Sequence, residues 1–413
     1  MRKSHDSSCM GICAAKPDDA RSVTRNLRNL PVAAPIRSRY LYCNMMYTVA
    51  TYLIEVKTQQ SFSDFLEERI FRPLDMTSTN LQSTRAGAKG LGDRIATGYY
   101  WDGDSSAYCP IQPWDCPEGQ GAGSVVTSAD DFIKWVKCLL RREGPINEKV
   151  YQGLIRMRSF VNPSGRRLKR FTSPTFYAAG LEIYYYRGHM VVGHDGAIPG
   201  FGSRFLFLPD SKFGVVVMGN SDGIGTVSNI VCRQLIDSLL GVPNRDVQPR
   251  NRNKKQKVPK TAPRESLTLR QKSASSNRGQ NLAKNEGKPA EKPETKELQT
   301  RKPELREASS PQEIPLTAYA GTYSHPGYRT MVVQIRDEKL FIDATDRSMG
   351  FTLEFEHVAD QTKYTAYLSD LFEGGRDPVR AEFLLTGGRA TKMGLDLEPV
   401  LKELIWFEFI KDT

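Results

Sequence analysis

Between Gly180 and Asn220 the chain alternates apolar, aromatic and β-branched runs with short polar or glycine-bearing breaks. The runs are Gly180 to Arg187, His189 to His194, Ser203 to Leu208 and Phe213 to Met218. Runs of this length bounded by turn residues predict strands of an antiparallel meander. The one long break, His194 to Gly202, is read as a loop that puts a histidine at a strand end. Its three glycines, Gly196, Gly200 and Gly202, allow a backbone to come close to a ligand. Gly225 to Leu240 then reads as a helix whose apolar face, Val227, Ile230, Val231, Leu235 and Leu239, is expected to cover the sheet.

Upstream the period changes to that of helices. Residues 1 to 39 are weakly patterned, with only a short helix expected at Asp18 to Leu30. Tyr40-Leu41-Tyr42-Cys43-Asn44 opens a helix with Met45, Met46, Val49, Tyr52, Leu53 and Val56 on its expected buried face. Ser61 and Asp64 form a cap signature for a second helix, carrying Phe62, Phe65, Leu66 and Ile70 as far as Pro73. Thr77 to Gly121 is polar and glycine-rich and reads as loops with an acidic, aromatic tip at Tyr99 to Asp104. Ser128 and Asp131 cap the clearest helix, striped by Phe132, Ile133, Trp135, Val136, Leu139 and Leu140, and Asn147 to Arg158 reads as another. Helices up to about residue 160 and strands after it imply an α+β fold of two lobes with a groove between them.

The tail changes character again. Short strands are expected at Arg329 to Ile335, Lys339 to Ala344, Gly350 to Phe355, Tyr364 to Leu368, Ala381 to Leu385 and Leu404 to Phe409, with no helix among them. That spacing implies a small β-barrel or sandwich over 313–413.

Composition changes the picture in one place. The net charge of +11 would suggest a nucleic-acid partner, but residues 251–310 alone carry 16 Lys and Arg against 7 Glu and no Asp. The same segment has no Phe, Trp or Tyr, so it reads as a disordered basic linker, 242–312, without the aromatic platforms that stack bases. Seven cysteines, an odd number thinly spread, read as reduced thiols, although Cys109 and Cys116 are close enough in sequence to bridge. Five histidines show no zinc spacing, so no metal or other cofactor is expected. No apolar run is long enough for a membrane span and no signal peptide is visible, which gives a cytoplasmic expectation.

Four motifs stand in order: Tyr42-x-Asn44 at a helix start; Pro73-Leu74-x-Met76-x-x-Thr79; Gly121 to Asp131 leading into a helix; and His194-Asp195-Gly196, with Asn220 closing the next hairpin. The ordered set resembles the serine β-lactamase and penicillin-binding-protein-like superfamily. It looks most like the β-lactamase-related, S12-peptidase-like branch, which uses His-x-Gly and often carries a lipocalin-like β domain. The resemblance is clearest over 40–240 and implies a β-lactamase-related domain at 1–241. It implies acyl transfer to a serine, on esters, amides or D-amino-acid peptides, with a small molecule or peptide in the groove between the lobes. By motif, Tyr42 would be the general acid/base, Asn44 would orient the substrate amide, and His194 would line the pocket. Asp195, Gly196 and Ala197 would bind substrate, the Ala197 N–H as an oxyanion donor.

The nucleophile motif of that superfamily, Ser-x-x-Lys, begins at none of the serines in the 413 residues. The nearest approaches are Ser22 with Arg25, Ser164 with Arg167 and Ser275 with Arg278, and arginine keeps its charge and cannot shuttle a proton. In the family the nucleophile lies well upstream of Tyr-x-Asn, and Ser4-His5-Asp6 resembles a segment that follows it. Three readings therefore stay open: a hydrolase truncated ahead of its serine; a pseudoenzyme that binds a ligand or partner; and a structural chain in which Tyr42, Asn44 and His194 are satisfied core polar groups.

Overall fold

The computed structural model describes residues 19–243 and 311–411, apart from the single positions 104, 167, 348, 399 and 402. Residues 244–310 of the expected basic linker, Ser4-His5-Asp6, Cys9, Cys13 and the Ser275-x-x-Arg278 stretch lie outside the described residues. The first half carries helices α1 (Ala20–Asn26), α2 (Asn44–Thr58), α3 (Phe62–Leu66), α4 (Ser83–Ala88), α5 (Ala129–Arg141) and α6 (Glu148–Ile155). It also carries strands β1 (Asn80–Leu81), β2 (Gly98–Asp102), β3 (Ala107–Ile111) and β4 (Val125–Val126). The stretch from Thr77 to Gly121, expected to be loops, thus holds a helix and a β2–β3 hairpin. Asp19 caps α1, Ser61 caps α3, Ser128 caps α5 and Asn147 caps α6, each accepting from a backbone N–H in the first turn.

The main sheet is antiparallel throughout, in the order β10-β9-β8-β7-β6-β5. Its strands are β5 (Ser159–Phe160), β6 (Phe176–Tyr177), β7 (Glu182–Tyr186), β8 (His189–Ile198), β9 (Phe201–Leu208) and β10 (Phe213–Gly219). The break expected between His194 and Gly202 is not a loop. Strand β8 runs on to Ile198 and pairs with Phe201, leaving only Pro199 and Gly200 as the turn. Proline presets the first turn position, and Gly200 takes the second at φ +73, where a side chain would be strained.

One face of the sheet packs Ile183, Val192 and Phe207 on α5 residues Val136 and Leu139. The other packs Val191, Leu206 and Leu208 on Cys232 and Ile236 of α7 (Ile224–Leu239). The expected covering face of α7 is turned the other way: Val227 is 51% exposed and Leu239 42%, while Ser228, Cys232, Ile236 and Asp237 are buried. Asp237 goes inward because the Tyr186 hydroxyl donates to it at 2.5 Å, and small Ser228 and Cys232 let the helix lie close to the strands.

Helix α2 is rotated in the same way. Met45 is buried as expected, but Thr48 and Thr51 share its buried face, and Met46, Leu53 and Val56 face outward. Thr48 Oγ1 donates to the Glu118 carbonyl at 2.6 Å and Gln120 Nε2 to Thr51 Oγ1 at 2.9 Å, so hydrogen bonding with the 117–121 turn sets the rotation.

The tail closes as an eight-stranded barrel: β11 (Gly321–His325), β12 (Arg329–Arg336), β13 (Lys339–Ala344), β14 (Phe351–Ala359), β15 (Lys363–Asp370), β16 (Gly374–Thr386), β17 (Arg389–Leu395) and β18 (Ile405–Ile410). Thr322 pairs with Ile410 to shut it. Tyr319, Tyr323, Phe383 and Phe407 fill the interior, each with none of its surface exposed. This is a side-chain core of the kind an eight-stranded barrel is just wide enough to hold.

Candidate active site

Strand β7 begins at Glu182, opposite Gly193, so residues 194–198 of β8 project beyond it. Among the described strands none pairs with that side of β8, which leaves a short edge of backbone open beside the start of α2. The side chains that gather there are mostly aromatic. Tyr42 lies in the extended stretch ahead of α2, and Asn44 is the first residue of that helix, after Cys43 at φ −150. The Tyr42 ring stands 6.0 Å from Tyr177, edge on, and 6.1 Å from His194. Tyr40 lies 5.2 Å from the Tyr177 ring on a further side. Tyr42 is 44% exposed and faces the opening.

Tyr177 is the hub of the group. Its hydroxyl is 2.9 Å from that of Tyr47 and 3.3 Å from His194 Nε2. His194 Nδ1 is 2.6 Å from the Asp195 carbonyl. Burial holds the Tyr177 and Tyr40 phenols far above the ordinary tyrosine range, and nearby Tyr47 and Glu182 respectively add to the effect, so both stay protonated. Burial also raises the Glu182 carboxyl, against an opposing pull from His194.

The structure therefore brings Tyr42 and His194 together, with Asn44 one turn of helix away from Tyr47. The Asp195 carboxylate leaves this group: it meets Arg204 Nη1 at 2.7 Å through both oxygens, and that nitrogen reaches Asn229 of α7 at 2.9 Å. Gly196 pairs with Ser203 and Ala197 with Gly202, in regular β register. Tyr177, Tyr47 and Tyr40 were not singled out from the sequence. Tyr47 is three residues after Asn44 and so on its side of the helix, which is a usable signal; a tyrosine on a two-residue strand gives none.

Cys109 and Cys116 are both free thiols. Burial pushes the Cys116 thiol up to about 12, which removes it as a nucleophile near neutrality. Among the described residues no three His, Cys, Asp or Glu side chains gather to hold a metal ion, and no helix is long and apolar enough to cross a membrane.

A family model described as beta-lactamase matches residues 10–229. The chain belongs to the β-lactamase family. A second model, a domain of unknown function (DUF3471), matches residues 305–409, the stretch that holds the barrel of this β-lactamase-family chain. An unguisins hydrolase of Aspergillus campestris is 30% identical over 99% of the chain and 71% of its own length. A D-aminopeptidase of Brucella ovis is 26% identical over 55% of the chain and 39% of its own length. Among solved structures, the octameric penicillin-binding protein homologue from Pyrococcus abyssi aligns over 94% of this chain and 70% of its own, at 18% identity and a TM-score of 0.48.

Proposed function

We propose that the opening beside residues 194–198 is the ligand groove of an acyl-transfer hydrolase acting on amides, esters or D-amino-acid peptides. We propose further that this 413-residue chain binds such ligands without turning them over. The observation that carries the reading is the joining of Tyr42, Tyr177 and His194 at an open strand edge in a sequence with no Ser-x-x-Lys. In this reading an extended ligand lies along the open side of β8 and takes backbone hydrogen bonds there. Tyr42 supplies the proton-handling phenol, Asn44 orients the ligand amide, His194 lines the floor, and the Ala197 N–H serves an oxyanion. Asp195 and Gly196 take part through their backbone, since the Asp195 carboxylate is occupied by Arg204. The names of the relatives, a D-aminopeptidase and a hydrolase, support this ligand class.

The test is a nitrophenyl ester assay beside a thermal-shift titration with a D-amino-acid amide. No burst of nitrophenol, with a saturable rise in melting temperature, is expected. A ligand at 100 times its Kd stabilises by about 2.7 kcal/mol, which is readily measured. A burst that Tyr42→Phe abolishes would overturn the claim of no turnover. No thermal shift with any amide, ester or D-peptide would remove the groove reading.

A second reading, an interaction module, is favoured by one observation: Val227, Ile230, Leu235 and Leu239 form an exposed apolar row along α7. Sedimentation of the full chain over a range of concentrations tests it. Self-association that Leu235→Lys abolishes favours this reading, and a monomer at all concentrations counts against it.

A further inference from the structure

We propose that the C-terminal barrel is a brace for the first turns of α2, the segment that carries Tyr42 and Asn44. The inference rests on the reading of that segment as part of the ligand groove. It assigns the barrel a task performed by its outer surface, in keeping with an interior filled by its own aromatic side chains.

Two contacts among the described residues carry the argument, both between the barrel and the first half of the chain. In the first, Phe372, in the turn between β15 and β16, stacks on Trp114 with ring centroids 4.4 Å apart and planes 23° apart. The turn presents Phe372 rigidly, because Asp370 Oδ1 accepts from the N–H groups of Phe372 at 2.8 Å and Glu373 at 2.9 Å. In the second, Asn26, buried at the end of α1, donates from Nδ2 to the Gly327 carbonyl at 2.8 Å. Gly327 lies so close to α1 that an added Cβ would stand 2.6 Å from Leu30 Cδ2 and 2.9 Å from the Asn29 carbonyl oxygen.

Both contacts lead on to the same place. From Trp114 the chain runs through Cys116, which exchanges hydrogen bonds with Gln82 at 3.0 and 3.1 Å, to Glu118, whose carbonyl takes the Thr48 hydroxyl. Three residues on, Gly121 lies against the Tyr47 backbone: a Cβ there would be 2.4 Å from the Tyr47 carbonyl oxygen. From Asn26 the path is shorter, since Val23 of α1 packs with Met45 and Cys43. The opening turns of α2 are thus held by the 114–121 segment and by α1, and each of these is backed by the barrel. A phenol and an amide held in this way keep their geometry before a ligand arrives, which is what preorganised sites require.

The test is hydrogen exchange by mass spectrometry on the full chain, comparing the parent with Phe372→Ala, with Gly327→Ala and with both together. Loss of one aromatic stack is expected to speed exchange of amides 44–48 and 116–124 between about twofold and tenfold. Gly327→Ala is expected to speed amides 20–30 and 43–48, and the pair of changes more than either alone, while β9 amides 201–208 stay as in the parent. Faster exchange confined to 311–411 in every variant, with 43–48 unmoved, would overturn the proposal. The measurement needs no ligand. A chain that binds no amide or ester but shows the expected exchange pattern would lose the groove reading and keep the brace.

Discussion

The Tyr177 hydroxyl is held between two partners, 3.3 Å from His194 Nε2 and 2.9 Å from the Tyr47 hydroxyl, and its direction is fixed. The Asp195 carbonyl beside His194 Nδ1 can only accept, so Nδ1 carries the hydrogen. A neutral ring then offers Nε2 as an acceptor, Tyr177 donates to it, and Tyr47 donates to Tyr177. The imidazole is left with no free lone pair to act as a base. Imidazole nitrogen NMR on the full chain is expected to show His194 as the Nδ1–H tautomer. Tyr177→Phe is expected to release it to a mixture with the Nε2–H form. Identical nitrogen shifts in parent and variant would show that Tyr177 does not set the tautomer.

Gly200 gives a test of the β8–β9 hairpin. At φ +73, with a prospective Cβ 2.9 Å from the Tyr99 N, Gly200→Ala is expected to destabilise the fold by about 1–3 kcal/mol. Chemical denaturation measures it, and an unchanged midpoint would mean that the turn is not formed as described.

Glu182 makes stability fall with rising pH. Burial raises its carboxyl in the folded chain, so its contribution is full below the unfolded value, near 4.3 for glutamate, and is lost as pH climbs through the raised one. Other carboxyls, such as Asp64 and Glu354, are lowered by hydrogen-bonded partners and act in the opposite sense, so the informative quantity is a difference between two chains. Glu182→Gln is expected to gain stability on the parent as pH rises from 4 to 7. A gap that stays constant over that range would refute the assignment.

His325 acts in the opposite direction. Burial lowers it, and its Nδ1 accepts from the N–H of Gly327 at 2.9 Å and of Tyr328 at 3.2 Å. Its contribution is present above the unfolded value, about 6.5, and is lost as pH falls through the lowered one. The same Gly327 carries the carbonyl that meets Asn26, so acid is expected to loosen the barrel and its α1 contact together. Hydrogen exchange of 20–30 and 321–329 between pH 7 and 5 checks this, with His325→Asn, which keeps an acceptor but does not titrate, showing no acid-induced rise.

The strands and their order of appearance were legible because apolar alternation and turn residues are local; Lys339–Ala344 came out at its full length. Much of the expected apolar face of α7 and of α2 turned out exposed for a common reason. Thr48, Thr51 and Asp237 look solvent-facing in sequence, and they are buried because Glu118, Gln120 and Tyr186, far off in the chain, hydrogen-bond to them. The turn at Pro199-Gly200 was taken for a long loop because three glycines in nine residues look like one, although two of them lie within paired strands. Tyr42, Asn44 and His194 were found through motifs, whereas Tyr177 and Tyr47 meet them only after folding, across 130 residues of chain.

The bond from Asn26 to Gly327 spans 301 positions, which matters while the chain is being made. At roughly 5–20 residues per second, α1 leaves the ribosome about 15 to 60 seconds before its partner carbonyl exists. During that interval the side-chain amide of Asn26, buried in the finished fold, has no partner. Maturation is then a race between late synthesis and early adhesion, so slow translation of the 311–411 stretch would hand the nascent polypeptide to holdase chaperones.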